Sequence, residues 1–595
     1  MAARYLLARA NYFPRGSVHL SILLTRSLGT FLLGLFCLLP GPVWSDSTLY
    51  NSFDRIHPTV ARKGMVVSQE ALASQIGVDI LKQGGNAVDA AVAVGFALAV
   101  TLPQAGNLGG GGFMLVYDAS QKRSEALDFR ETAPAAIRRD FYLDAKGEVD
   151  QARIRYSHQA AGVPGTVAGL ALAHARHGRL PWRQLIEPAV RLAEHGVPIS
   201  IELAQSLQAT RERMTPWPAS MKAFFKPDGA AYQPGDTLIQ PDLAASLQLI
   251  AEQGAKAFYE GEIARRLVAD MQTHNGLIGL EDLKNYRAIV RKPVQGTYRG
   301  YQIASMPPPS SGGVHLIQLL NILETWPLHE WGPNSATTVH HIAEAMKLAY
   351  ADRSEYLGDP DFTKVPVAGL TSKTYARELA ARIDPSRAKT ASEIKPGQPQ
   401  RYESGQTTHY SVIDRDGNAV AVTYTLNFSF GSGIVAAGTG ILLNNEMDDF
   451  AAKPETPNAY GLIGGDANAI GPGKRPLSSM TPTLVFENGQ PMLVTGSPGG
   501  SHIITTVLQI VSNVVDYRMN IAEATLAPRF HHQWLPDELR LEKGFSPDTV
   551  RLLRERGQNV VIKEVMGDAQ SIVRLSDGLY GFSDTRRPGG LAVGY

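Results

Sequence analysis

Three stretches of the chain hold residue types that could do chemistry. Residues 106–112 read GNLGGGG, and four adjacent glycines require either close approach by backbone or ligand or dihedral angles that other residues avoid. Residues 496–501 read GSPGGS and run into the apolar pattern of a helix, whose first N–H groups favour negative charge. The third is the polar segment around TTHYSV, which brings Thr407, Thr408 and His409 to the start of a strand-like run. Each stretch also has a purely structural meaning, the glycines as tight turns and Thr407 as an ordinary strand threonine.

Other chemistries lack their signatures. There is no HExxH, no Gly-x-Ser-x-Gly elbow, no Walker loop around Gly473 and Lys474, and no dinucleotide fingerprint among the glycines at 106–112. His340-His341 and His531-His532 are sequence neighbours, so on a helix or a strand their side chains diverge and do not chelate. The single cysteine, Cys37, lies in an amino-terminal segment expected to be removed, which leaves no disulfide, thiolate nucleophile or cysteine-ligated metal.

Elements must position those stretches. Residues 77–102, GVDILKQGGNAVDAAVAVGFALAVTL, predict a packed core helix, and FMLVY at 113–117 a strand directly after the four-glycine loop. The middle of the chain, about 165–379, alternates amphipathic helices with polar turns. MPPPSSGG at 306–313 precedes the apolar helix VHLIQLLNIL. Residues 386–405 have the polar, proline-bearing composition of an exposed connection that a cleavage reaction could reach. Beyond it hairpins dominate, with strand patterns flanking Asp414 to Asn418, Asn488-Gly489 and Asp577-Gly578. A helix after GGS501 interrupts them, so the class is mixed α/β in layers.

At 595 residues, 44% hydrophobic and 19% charged, the chain can build a large core and is not a disordered polymer. Its cations are dispersed, without the basic stripe that a nucleic-acid partner requires. Residues 1–45 carry four arginines and no acid. Their apolar heart, 28–39, has the length of a signal-peptide h-region and is short for a bilayer span, which predicts cleavage near Ser45. The long basic stretch before it points to a start downstream of Met1.

Taken together, DFRETAP around Arg130, YADRSEYLGDPDF at 350–362, QTTHYSV at 406–412, TYTLNFSFGSG at 423–433, LLNNEMDDF at 442–450, RPLSSMTPT at 475–483 and GSPGGS at 496–501 resemble the gamma-glutamyltransferase family in order and spacing. The resemblance runs from about Lys63 to the carboxyl terminus. It implies an amino-terminal nucleophile hydrolase with a four-layered αββα sandwich, an α/β (α+β) fold. The precursor cuts itself between Gln406 and Thr407. A large chain, 46–406, and a small chain, 407–595, then form one intertwined heterodimer.

The resemblance assigns the nucleophile to Thr407, its support to Thr425 and the oxyanion donors to Gly499 and Gly500. It gives the substrate carboxylate to Arg130, Ser478 and Ser479, and the ammonium to Asn427, Glu446 and Asp449. Residues 454–465 resemble a lid with Tyr460 at its tip, and His502 stands where many members carry arginine. Alternation along the first hairpin would set Thr407, His409, Thr423 and Thr425 on one polar face, a register that the sequence leaves open.

The implied reaction transfers a gamma-glutamyl group from glutathione or a related compound to water, an amino acid or a dipeptide, in the periplasm or outside the cell. No cofactor, metal or nucleic acid is implied, and no membrane attachment after leader removal. Alternatives on the same fold are a cephalosporin-type acylase and a poly-gamma-glutamate hydrolase. The lid argues against both, since members with bulky substrates tend to lack it. An alternative of another class is a silent binding protein for small amino acids, which would keep its chain intact.

Overall fold

The computed structural model describes residues 49–398 and 408–595, except residues 52, 454 and 455. The expected leader and the Gln406–Thr407 junction lie outside the described residues.

Fourteen strands build two large sheets. In chain order they are β1 (Thr59–Ala61), β2 (Met65–Ser68), β3 (Gly111–Asp118), β4 (Arg123–Phe129), β5 (Ile289–Arg291), β6 (Val294–Tyr298) and β7 (Tyr301–Ser305). After the predicted junction come β8 (Thr408–Ile413), β9 (Ala419–Thr425), β10 (Thr483–Glu487), β11 (Gln490–Thr495), β12 (Gln570–Leu575), β13 (Gly578–Ser583) and β14 (Leu591–Gly594). One sheet has the order β14-β2-β8-β9-β3-β4-β5 and the other β1-β13-β12-β11-β10-β7-β6. Strands from before and after residue 407 interleave in both, so neither segment could form its sheets alone.

Period-two alternation explains the layering. Met65, Val67, Phe113, Leu115 and Ala421 meet Leu484, Val494 and Ile572 in a core between the sheets. The intervening Val66, Met114, Val116, Val420 and Val422 face away from it and pack on helices α1 (Ala71–Lys82), α2 (Ala87–Thr101) and α3 (Thr166–His177). On the opposite side Val485, Leu493 and Val573 pack on α4 (Gly312–Leu323), α5 (Ala336–Tyr356) and α6 (His502–Val515). The order is αββα.

The run at 77–102 is two helices, not one. Gly84 adopts φ +96°, and Asn86 and Asp89 form a capping box that starts α2 afresh. Every residue of α2 is buried, as its all-round apolar sequence requires. All three predicted hairpins form, at β8–β9, β10–β11 and β12–β13. The described part of the expected connection is less exposed than its composition predicts. Ala388, Ala391 and Ile394 are buried, and the Gly397 N–H donates to Asp352 Oδ1 at 2.7 Å, which anchors the end of this described segment.

Candidate active site

Backbone proximity, not unusual dihedrals, accounts for the four glycines. A Cβ on Gly110 would lie 1.8 Å from the Thr425 carbonyl oxygen, and one on Gly109 would lie 2.0 Å from that of Leu442. Gly111 opposes Thr425 in the ladder between β3 and β9. The Asn107 amide donates to the Thr425 carbonyl at 2.9 Å, and its Oδ1 accepts from the Gly110 N–H at 3.0 Å. The loop thereby fixes the end of β9.

The register left open by the sequence pairs His409 with Thr423. Ser411 donates its hydroxyl to the Gln570 carbonyl at 2.9 Å, so it accepts from His409 Nε2–H at 3.0 Å, and His409 Nδ1 then accepts from the Thr423 hydroxyl at 2.9 Å. Burial pushes the His409 pKa down to about 3, which fits this neutral imidazole. Thr425 lies two residues beyond Thr423 on the same face of β9, and its Oγ1 accepts from the Asn427 N–H at 2.7 Å.

Arg130 sits at the end of β4 with no exposed surface, so a surface pair with Glu131 is ruled out. Its Nη1 donates to Glu446 and its Nη2 to Asp449, with Glu131 at 3.4 Å, while Nε donates to the Pro476 carbonyl at 3.0 Å. Burial opposes its charge, but Glu446, Glu131 and Asp449 outweigh it and hold the guanidinium protonated. One cation cannot stabilise three buried anions. Burial raises the pKa of Glu131 to about 7 and that of Glu446 to about 8, and lifts Asp449 well above the carboxylate range, each against the pull of Arg130. Glu131 Oε1, Glu446 Oε2 and Asp449 Oδ1 are buried without a hydrogen-bond partner.

Ser478 and Ser479 follow the carbonyls that Arg130 contacts, and both are fully buried. Arg353, on α5, donates to Ser479 Oγ at 2.5 Å and to Ser311 Oγ at 3.1 Å. Burial lowers its pKa to about 9. This second buried guanidinium lies within the YADRSEY stretch, where nothing in the sequence distinguishes it from a solvent-facing arginine.

Asn427 adopts φ +73° and links the cluster to the expected lid. Its amide donates to the Asn445 carbonyl at 2.9 Å, and its Oδ1 accepts from the Tyr460 hydroxyl at 2.9 Å. Gln533 holds the Tyr460 carbonyl at 3.1 Å, and the Tyr460 ring meets Phe428 edge-on at 5.7 Å. Burial and the nearby Asp449, Asp448 and Glu446 raise the phenol's pKa, so it remains a donor.

Gly499 and Gly500 adopt φ +133° and +61° just before α6. Behind them Gly496 packs on the His409 ring, where a Cβ would approach Cε1 to 2.4 Å. His502 begins the helix, and Arg540 brings its Nη1 within 3.2 Å of His502 Nε2, so a guanidinium is present beside a position that lacks one in sequence. Gln406 and Thr407 lie outside the described residues.

The paired histidines diverge as expected. His340 bonds the Asp384 carbonyl and Gln558, whereas His531 bonds Thr505 and Gln533, and His532 approaches Asp537. Among the described residues His158, Asp270 and His274 bring ligand-type atoms within 4.8 Å of one another. Their imidazoles stack at 4.3 Å and 14°, and the in-plane lone pairs of parallel rings do not converge on one ion.

Known proteins share both this layering and the sequence that builds it. The chain is 58% identical over 543 residues to the glutathione hydrolase proenzyme of Escherichia coli, covering 91% of this chain and 93% of that one. A cephalosporin acylase from Bacillus halodurans superposes with a TM-score of 0.82 at 30% identity, over 92% of this chain and 98% of that one. A Helicobacter pylori gamma-glutamyltranspeptidase chain aligns with a TM-score of 0.56 at 46% identity, over 58% of this chain and 98% of its own length. The family model for gamma-glutamyltranspeptidase matches residues 73–594. With the interleaved αββα layers and the glycine loop closing on Thr425, that match makes this chain a member of the gamma-glutamyltranspeptidase family.

Proposed function

We propose that the chain is the precursor of a glutathione hydrolase and gamma-glutamyltransferase, which cuts itself between Gln406 and Thr407 and then uses Thr407 as its nucleophile. The observation that carries this reading is the buried cluster of Arg130 with Glu131, Glu446 and Asp449. It has an excess of acceptor oxygens and leaves three without partners. An ammonium carries three donors, and the adjoining serines and Arg353 suit a carboxylate on the same carbon. The cluster thus matches the α-amino acid end of a gamma-glutamyl compound.

The free α-amine of Thr407, with an ordinary pKa of about 7.7–8.0, would take the hydroxyl proton as Oγ attacks the γ-carbonyl carbon. The C=O electron pair moves onto oxygen, facing the N–H groups of Gly499 and Gly500. Collapse expels the amine with that proton and leaves a threonyl ester. Water or an acceptor amine then attacks the ester, the Thr407 oxygen leaves, and it regains a proton. The same-face alternation of His409 and Thr423 supports a nucleophile beside Thr425. The Tyr460–Asn427 closure would exclude bulk water from the ester.

The reading includes removal of residues 1–45, export to the periplasm or beyond, and a heterodimer of chains 46–406 and 407–595. The likeness to a cephalosporin acylase supports a second reading, acylase activity on a bulkier side chain. The closed lid and the charged floor favour a small zwitterion.

The test is a Thr407→Ala protein compared with wild type on a denaturing gel, with amino-terminal sequencing and release of p-nitroaniline from gamma-glutamyl-p-nitroanilide. Wild type should yield a small chain beginning at Thr407 and an active enzyme, and the variant a single inactive chain. A variant that still splits or still releases p-nitroaniline overturns the proposal. Competing a cephalosporin side-chain substrate against the anilide separates the two readings.

A further inference from the structure

The two halves of the proposed site belong to different sheets. Residue 407 immediately precedes β8, in the sheet that also holds β2, whereas Gly499 and Gly500 follow β11, in the other sheet. Their separation therefore depends on how the sheets are tied at this end of the sandwich. One tie starts on the nucleophile's own neighbour. Thr408, the first residue of β8, donates its hydroxyl to Gln69 Oε1, and Gln69 Nε2 donates to Asp568 Oδ2. The Asp568 N–H donates to Ser497 Oγ at 2.9 Å, and the Ser497 hydroxyl donates to the Pro498 carbonyl at 2.7 Å. Gln69 lies just past β2 and Asp568 just before β12, so the chain of bonds crosses from one sheet to the other. At its far end a Cβ on Gly499 would lie 3.3 Å from the Gly567 Cα, so the residue before Asp568 packs against the glycine turn.

Thr408, Gln69 and Asp568 are all buried, and an amide that bridges two buried partners is costly to unmake. Burial and the nearby Asp584 push the Asp568 pKa well above the carboxylate range, against the pull of Arg587, so the amide meets a neutral acid. Strand alternation directs the Thr408 side chain to the face opposite that of Thr407. The tie thus holds the backbone without competing for the nucleophilic oxygen. Adjacent Cα atoms are about 3.8 Å apart, so fixing residue 408 limits where residue 407 can lie, and a misplacement of about 1 Å can cost about a hundredfold in rate.

We propose that Gln69 and Asp568 are positioning residues for Thr407, which act through Thr408 to hold the nucleophile in register with the glycine turn at 499–500, in self-cleavage and in turnover alike. The proposal rests on the gamma-glutamyl transfer reading given above. The pair moves no proton of its own.

The experiment compares wild type with Gln69→Met, Thr408→Val and the double variant on gamma-glutamyl-p-nitroanilide. Both substitutions keep side-chain volume and break the tie, one from each end. Maturation is followed on a denaturing gel, and p-nitroaniline release is normalised to the small chain present. Each single variant should mature about tenfold more slowly and lose about tenfold in kcat, with KM within about twofold of wild type because the α-amino acid end binds at Arg130. The double variant should be no slower than either single, since both remove one linkage. Asp568→Asn keeps an acceptor for Gln69 and should stay within about twofold of wild type, whereas Asp568→Leu should lose about tenfold. If Gln69→Met does not fold, Thr408→Val and the two Asp568 variants carry the test. An unchanged kcat in Thr408→Val, losses that multiply in the double variant, or an Asp568→Asn protein as slow as Asp568→Leu overturns the proposal. Absence of p-nitroaniline release by the matured wild-type protein sinks the parent reading instead, and the inference falls with it.

Discussion

Tyr460 donates its hydroxyl to Asn427 Oδ1 at 2.9 Å, and through that hydroxyl the segment at 456–465 is tied to the residues just past the strand that carries Thr425. Asn427 can serve as the latch because its backbone turns into positive φ directly after β9 and its amide is held by the Asn445 carbonyl. The segment at 456–465, the strand end and the ion cluster are therefore joined by hydrogen bonds.

Removing this bond should loosen the proposed lid without disturbing the core. Tyr460→Phe keeps the ring against Phe428 and loses one hydrogen bond, worth about 1 kcal/mol. We expect kcat/KM for gamma-glutamyl-p-nitroanilide to fall about fivefold, mostly through KM, with a larger share of the ester partitioning to water. Product analysis with and without acceptor checks both parts.

The ion cluster separates binding from stability. Asp449→Asn leaves Arg130 with Glu446 and Glu131 but takes an anion from the proposed ammonium site, so KM should rise about 10- to 100-fold while the melting temperature changes little. Arg130→Met removes the cation that three buried carboxylates share and should destabilise the protein by about 3 kcal/mol or more. Kinetics on the first variant and denaturant unfolding of both decide whether the two effects divide in this way.

Much of this arrangement was legible in the sequence, for physical reasons. The Asp-Gly and Asn-Gly steps define hairpin turns, and alternation assigns sheet faces, so β8 to β13 could be read directly. The break in the helix at Gly84 was hidden because the apolar pattern continues on both sides of it. Arg353 was hidden because an arginine on an amphipathic helix normally reaches solvent, and only tertiary packing shows that this one ends on Ser479. The anchoring of residues 388–397 was hidden for a similar reason, since polar composition describes side chains and not the backbone bond that Gly397 makes to Asp352.

The glycine loop makes a steric prediction. In Gly110→Ala the new methyl would overlap the Thr425 carbonyl, which cannot move because Asn107 and the β3 ladder hold it. A cost of about 3 kcal/mol is expected, since neither side can yield. Introducing the change into Thr407→Ala keeps both proteins as one polypeptide. A urea midpoint equal to that of the parent would show that the loop is softer than its contacts imply.

The last prediction concerns pH. Glu131 and Glu446 have folded pKa values of about 7 and about 8, above the ordinary 4.5 of an unfolded glutamate. Between those limits the folded state holds more protons than the unfolded state, so the ligand-free protein should lose stability as pH rises from about 4.5 to 8 through these groups. A ligand ammonium reverses the local balance, because a second cation beside Arg130 favours the ionised carboxylates. Binding of a gamma-glutamyl compound should therefore expel protons near pH 7, and its affinity should increase as pH rises from 6 to 8. Calorimetric titration of the Thr407→Ala protein with a gamma-glutamyl ligand, in buffers of different ionisation enthalpy, reads the proton count directly. A heat that does not depend on the buffer would mean that binding expels no proton from these carboxylates, which overturns the prediction.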